Sequence, residues 1–347
     1  MSRVLLDATA LDGGPSGSAT RLVAVAKSLH RIGHAVVVWH GVALRDQETW
    51  KGLDVEWVQD PNPPRGPWAR WRAGDTRILS AVKTSRADLV MTEALPWMAR
   101  ETVPTIVTIH DLRKEVDPGV TRWLWHRAAS RAVVAARRIH VPTAATATSL
   151  AELIPDSIGR IDVVPNIVVM RSLKEVRAVD LPDLPPRFVV AMGHPEARKD
   201  WDLVAAVSKR LVSPMVMVRA GRGRIDGPWI DVGAVNDTLR DALFARASAV
   251  LCPSRLEGFG LVGLEALAVG GFVVASGIPA HREVLGMAAS YFTPGDVEQA
   301  WVELERAINA SSIQQAARCF EAREQAEKFG PAALDVALRA SVATLAL

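Results

Sequence analysis

The chain has 347 residues, 49% of them hydrophobic, with 41 Lys and Arg against 38 Asp and Glu and a formal net charge of +3. This length suits two domains of ordinary size with apolar residues enough for two cores, and it excludes a disordered or low-complexity chain. Two cysteines exclude a disulfide framework and a zinc cluster, which fits a reducing cytosol.

In chain order, short Val/Ile/Leu runs alternate with amphipathic stretches of helical length, the pattern of parallel-sheet α/β units. A strand is predicted at 4–8, then the glycine-rich loop 12–18, a helix at 19–32 stopped by Gly33, and a strand at 35–39. Further strands are predicted at 55–58, 89–92, 105–109, 138–141 and 161–164, completing a first Rossmann-like domain over 1–172. Residues 173–187, which contain VDLPDLPPR, read as a linker. A second series follows over 188–330, with strands at 188–192, 215–219, 229–232, 249–252 and 272–275 and helices at 297–309 and 313–328. Gly330 and Pro331 break the last of these before a final helix at 332–347. The N-terminal MSRVLLDATALD has an acid at its seventh residue and no apolar run of signal-peptide length. The apolar stretch 261–280 contains Glu265, four glycines and a proline, so no transmembrane span is read.

The chemistry concentrates in 253–280, PSRLEGFGLVGLEALAVGGFVVASGIPA. Glu257 opens a loop in which Gly258 and Gly260 allow a sharp turn and close approach to a ligand. Residues 261–269 then form a helix whose free N–H groups would face an anion such as a diphosphate. Glu265, one turn into that helix, is placed to accept hydrogen bonds from ribose hydroxyls. The alternative, solvated glutamates in an unrelated α/β loop, is disfavoured because carboxylates beside such apolar neighbours are costly without a partner.

Elsewhere, the loop with Gly13, Gly14 and Gly17 lies between a strand and a helix, where a phosphate-cradling turn belongs. Its spacing departs from the dinucleotide fingerprint, so no nicotinamide cofactor is expected. His110, in TIHDL, falls at the carboxyl edge of a parallel sheet, where open α/β folds bind ligands. Residues 220–223, AGRG, read as a plain turn. Two stretches join tryptophan to basic residues: Trp68 and Trp71 with Arg65, Arg70 and Arg72, and 120–140, which has five arginines and no acid. Such segments suit an anionic membrane surface as well as a core-packed helix with solvated arginines. No nucleic-acid motif is present.

The EGFGL core, the LEALA helix, the glycine pair, VVAS, REVLG and TIHDL together resemble the retaining glycosyltransferases of family four (glycosyl transferases group 1). The resemblance implies the GT-B fold: two Rossmann-like domains facing across a cleft, with an acceptor-binding domain at 1–172 and a nucleotide-sugar-binding domain at 188–330. A C-terminal helix, 331–347, would cross back to the first domain. It implies donor contacts from Gly14, Gly17, Arg198, Lys199, Glu257, Gly258, Phe259, Gly260, Leu261 and Glu265, and catalytic roles for His110, Lys199 and Glu257. Lys199 would offset charge on the departing diphosphate, with Arg198 as its partner. Asp111 would orient the loop beside His110. No metal and no cofactor are expected; the co-substrate is a GDP- or UDP-sugar carrying a hexose. The acceptor would be a glycan, a lipid-linked molecule or a small molecule, and the location cytoplasmic, with peripheral attachment to the inner face of the cell membrane. Two features depart from the family: His194 stands where relatives carry Arg or Thr, and Ile167 and Val169 follow Asn166 where relatives carry Gly and an acid. The alternatives are therefore a catalytically silent GT-B subunit that binds nucleotide or a partner protein, or another GT-B activity such as an epimerase or phosphorylase.

Overall fold

The computed structural model describes residues 2–9, 11, 17–41, 50–60, 77–93, 103–112, 120–181, 183–194, 196–212, 214–219 and 226–345. Gly13, Gly14, the Trp68 and Trp71 segment and the AGRG turn lie outside the described residues. The chain divides into two compact units, Met1–Ile167 with Pro331–Leu347, and Val168–Gly330.

The first unit is built on strands β1 (Arg3–Asp7), β2 (Ala35–His40), β3 (Glu56–Gln59), β4 (Leu89–Thr92), β5 (Thr105–Thr108), β6 (Arg138–Val141) and β7 (Ile161–Val163). Their order in the sheet is β3-β2-β1-β4-β5-β6-β7, with every pairing parallel. Strands β4 and β5 are buried along their whole length, as expected where helices cover both faces of a parallel sheet. The helix Gly17–Arg31 turns Leu22, Val25, Ala26 and Leu29 to the core and ends at Gly33, whose φ of +93° suits a residue without Cβ.

The final helix, Pro331–Ala343, belongs to this first unit. Leu334, Leu338 and Val342 join the core that holds Leu22 and Leu29. Asp335 accepts from Ser28 Oγ at 2.5 Å and from Arg31 Nε at 2.9 Å. Ser341 Oγ donates to Asp162 Oδ2 at 2.6 Å and accepts from buried His140 Nε2 at 2.8 Å.

The second unit contains β8 (Val189–Gly193), β9 (Met215–Arg219), β10 (Ile230–Asp231), β11 (Ala249–Cys252), β12 (Val273–Ser276) and β13 (Ala289–Phe292). Their order is β10-β9-β8-β11-β12-β13, again all parallel. β13 has no counterpart among the sequence-predicted strands. It is a short edge strand, ASYF, with no apolar run to announce it. Residues 173–187, read as a linker, include the helix Leu173–Arg177; Val176 is buried in this unit's core, with Leu181 and Leu184 packed on it.

The strand order decides where a ligand can sit. In each sheet the direction of winding reverses between two adjacent strands, β1 and β4 in one and β8 and β11 in the other. Ligands of open α/β sheets bind outside the carboxyl ends at such a reversal. In the second unit, that is where the loops 194–200 and 253–260 emerge.

Candidate functional site

The loop after β8 contains a short turn, Ala197–Lys199, ending at Asp200. Asp200 has φ +50°, a left-handed conformation that costs a residue with a Cβ about 1–2 kcal/mol. Its buried carboxylate offsets the strain by accepting from Arg255 Nε at 2.9 Å. The Arg255 backbone N–H also donates to the Arg198 carbonyl at 2.7 Å. The loop bearing Arg198 and Lys199 is thus fastened to the loop bearing Glu257.

Glu257 is the centre of the arrangement. Its carboxylate accepts from Lys199 Nζ at 2.5 Å, Arg198 Nη1 at 2.8 Å and Ser254 Oγ at 2.7 Å. Burial alone would raise this carboxyl, but Lys199 and Arg198 outweigh it and hold the group down at about 2. Arg198 is also bonded to Glu196, at 2.7 Å. An ammonium has three donors, and among the described residues Glu257 is the one partner of Lys199 Nζ, which leaves two for a ligand.

Four residues after Glu257's neighbour Leu256, Gly260 takes φ +94° and starts the helix Leu261–Ala268. No side chain caps that helix, so its first N–H groups are presented at the loop. A Cβ on Gly260 would lie 2.7 Å from His281 Cδ2, so the position needs glycine for space as well as for φ. Phe259 is buried against Phe329. Glu265, on the same helix, has Oε1 3.0 Å from Arg240 Nη1. Burial raises the Glu265 carboxyl; Arg240 opposes this, Asp241 and Asp237 reinforce it, and the result is about 7. Beneath the site, burial pushes the Cys252 thiol up to about 12, which makes it an inert core group.

His110 and Gly17 belong to the first unit. His110 Nε2 donates to the Glu93 carbonyl at 2.7 Å and lies 3.3 Å from Glu93 Oε2. Burial lowers its pKa, Glu93 works against that, and Arg21 adds to it. Glu93 is held by buried Arg21, whose Nε donates to Oε2 at 2.9 Å, and by Thr108 Oγ1 at 3.2 Å. Arg21 Nη1 reaches on to the Val164 and Pro165 carbonyls and to Asn166 Oδ1, at 3.0, 3.1 and 2.9 Å.

The second unit therefore brings Arg198, Lys199, Glu257 and the Gly258–Leu261 loop together, with Glu265 on the adjoining helix. Sequence reasoning missed Arg240, His281, Ser254, Arg21 and Glu93. Only Arg21 left a trace, a charge on the apolar face of the Gly17–Arg31 helix. Among the described residues no group of three or more His, Cys, Asp or Glu is arranged to hold a metal, and no helix is long and apolar enough to cross a membrane.

Two protein-family models match the chain, "Glycosyltransferase Family 4" over residues 15–170 and "Glycosyl transferases group 1" over 231–329. No curated protein matches it. Among solved structures, sucrose-phosphate synthase from Thermosynechococcus elongatus is similar at a TM-score of 0.79 and 15% identity, covering 99% of both chains. Anabaena Alr3699/HepE in complex with UDP and glucose matches at 0.74 and 15%, over 99% of this chain and 100% of that one. S. aureus TarM matches at 0.74 and 10%, over 99% of each. Each unit thus matches a glycosyltransferase family model, Family 4 in the first and group 1 in the second, and with both sheets wound alike the chain has the two Rossmann-like units of the GT-B fold.

Proposed function

We propose that this protein transfers a hexose from a nucleotide-diphosphate donor, a GDP- or UDP-sugar, to a glycan, lipid-linked or small-molecule acceptor, with retained anomeric configuration and without a metal. The observation that carries the reading is the Lys199–Glu257–Arg198 cluster beside the uncapped helix start at Gly260. The similar HepE structure holds UDP and glucose, which supports a sugar nucleotide as the donor.

In this reading the two remaining Lys199 donors and the N–H groups of the Gly258–Leu261 loop meet the diphosphate. As the bond from the anomeric carbon to the phosphate oxygen breaks, negative charge grows on the leaving group and those contacts strengthen. The acceptor oxygen bonds to the anomeric carbon on the same face, and its proton passes to the departing phosphate. Glu257, held at about 2, is an anion at neutral pH and cannot serve as proton donor; it holds Lys199 and Arg198 and accepts from sugar hydroxyls. Glu265 accepts from the ribose. The acceptor is assigned to the first unit at His110, where the bond from Nε2 to Glu93 leaves Nδ1 as a hydrogen-bond acceptor. Donor contacts from Gly14 and Gly17 rest on the family resemblance alone, and Gly14 lies outside the described residues. The protein would act in the cytoplasm, peripherally at an anionic membrane; Trp123, 57% exposed with Arg127 stacked over its ring at 4.9 Å, supports that surface.

A screen of nucleotide sugars by thermal shift, followed by turnover assays and NMR of the product, tests this reading. Retention with undiminished rate in EDTA is expected. An inverted anomer, or activity that requires restored divalent metal, refutes the mechanism. Nucleotide binding without transfer or donor hydrolysis favours the silent subunit, which Ile167 and Val169 after Asn166 suggest.

A further inference from the structure

A buried histidine beside the donor loop has no part in the transfer described above. His281 lies on the short helix Pro279–Leu285 and is buried, with Nδ1 2.9 Å from the Ser276 carbonyl. A carbonyl can only accept, so Nδ1 carries the ring proton and Nε2 of the neutral ring carries the lone pair. The ring presents its Cδ2–Nε2 edge to the donor loop: a Cβ on Gly260 would be 2.7 Å from Cδ2 and 3.2 Å from Nε2. Nε2 is therefore beside the residue that starts the uncapped helix Leu261–Ala268, and it has no hydrogen-bond partner among the described residues.

We propose that His281 is a donor-binding residue that takes up a proton at Nε2 when the diphosphate binds and donates it as a charged hydrogen bond to a phosphate oxygen. The inference rests on the function proposed above and adds a residue to its site. A bare lone pair facing an oxyanion is repulsive, whereas an imidazolium there is a charge-assisted donor. Before binding, burial holds the ring neutral, Glu257 favours the proton and Lys199 opposes it. An arriving dianion that engages Lys199 tips that balance toward protonation. From β13, the Tyr291 hydroxyl donates to the Gly286 carbonyl at 2.7 Å and lies 3.3 Å from the His281 carbonyl, not the ring, and among the described residues no further titratable group bonds the ring. Glu265, on the adjoining helix, titrates in the opposite sense, since its ionised form suits the ribose.

The test is the affinity of UDP, GDP and inorganic pyrophosphate from pH 6 to 9, by calorimetry, for the parent, His281→Asn and His281→Gln. An Asn amide can keep the bond to Ser276 while removing the group at Nε2; a Gln amide can place a neutral donor near Nε2. The parent-to-variant ratio at each pH cancels the titration of the ligand and of Glu265. For His281→Asn it should be roughly tenfold at pH 6, the value of a charged hydrogen bond, and approach one by pH 9. His281→Gln should keep more affinity at high pH yet show the same flattened pH dependence. In buffers of differing ionisation enthalpy the parent should take up a fraction of a proton more on binding than either variant, the difference cancelling the exchange at Glu265 and on the ligand. Should His281→Asn fail to fold, the proton uptake of His281→Gln decides alone. Parental affinity and uptake in the variants overturn the assignment of His281 while the proposed function stands. A parent that binds none of the three probes overturns both.

Discussion

Replacing Glu257 with Gln should destabilise the second unit by roughly 3 kcal/mol at pH 7. The figure follows from the carboxyl's descent from 4.5 to about 2 beside Lys199 and Arg198, at about 1.4 kcal/mol for each tenfold change in proton affinity. The sign is fixed by linkage. A carboxyl with a lowered pKa binds fewer protons folded than unfolded, so its stabilisation is complete above about pH 4.5 and disappears as pH falls through about 2. At pH 3 about half should remain. Guanidinium unfolding followed by tryptophan fluorescence measures it, with Trp201 and Trp229, whose rings are 5.9 Å apart, reporting from this unit. The parent-minus-variant difference should shrink by half or more from pH 7 to pH 3. An equal difference at both values would mean that Gln disturbs packing rather than charge, and no difference at either would remove Glu257 as the electrostatic centre of the site.

Lys199→Ala should lower turnover about a hundred- to a thousandfold at saturating donor while changing ground-state binding much less, because the charge it meets develops in the transition state; parental kcat would show the lysine misassigned. Glu265→Ala should weaken nucleotide binding roughly ten- to a hundredfold through loss of a charged hydrogen-bonding partner, and unchanged affinity by calorimetry would sink the ribose contact. Because the Glu265 carboxyl is raised to about 7, the folded protein binds its proton more tightly than the unfolded chain, so the group erodes stability as pH rises from about 4.5 to 7. Glu265→Gln should flatten that fall in thermal unfolding measured from pH 5 to 8. Vesicles with anionic lipid should recover more protein by flotation than neutral ones, and high salt or serine at Arg127 and Arg131, both on the helix Val120–Ala135, should abolish the difference; equal recovery throughout would leave the arginines of that helix merely solvated.

The sequence by itself determined the elements whose signal is local. Runs such as Leu89–Thr92 and Ala249–Cys252 lack alternation, because strands covered on both faces leave no solvent side, and they were legible to the residue. Gly33, Gly260 and Gly270, with φ of +93°, +94° and +73°, marked helix ends and the donor loop because only glycine takes such values without strain. The short edge strand β13 and the helix Leu173–Arg177 carried too few residues for any periodicity to show.

What only the tertiary structure decided is which charges meet. Lys199 and Glu257 are 58 residues apart, Arg21 and Glu93 are 72 apart, and Arg240 reaches Glu265 from another helix. A family resemblance named Lys199 and Glu257 but not their bond, and it gave no hint of Arg240, His281 or Glu93. These pairings depend on strand order: β8 lies beside β11, and β1 beside β4, so loops distant in the chain leave the sheets side by side. The energy of a carboxylate is set by whatever cation lies within a few ångströms, through space and not along the chain. The same residue type thus ends at about 2 in Glu257 and about 7 in Glu265, eight positions apart on one continuous segment.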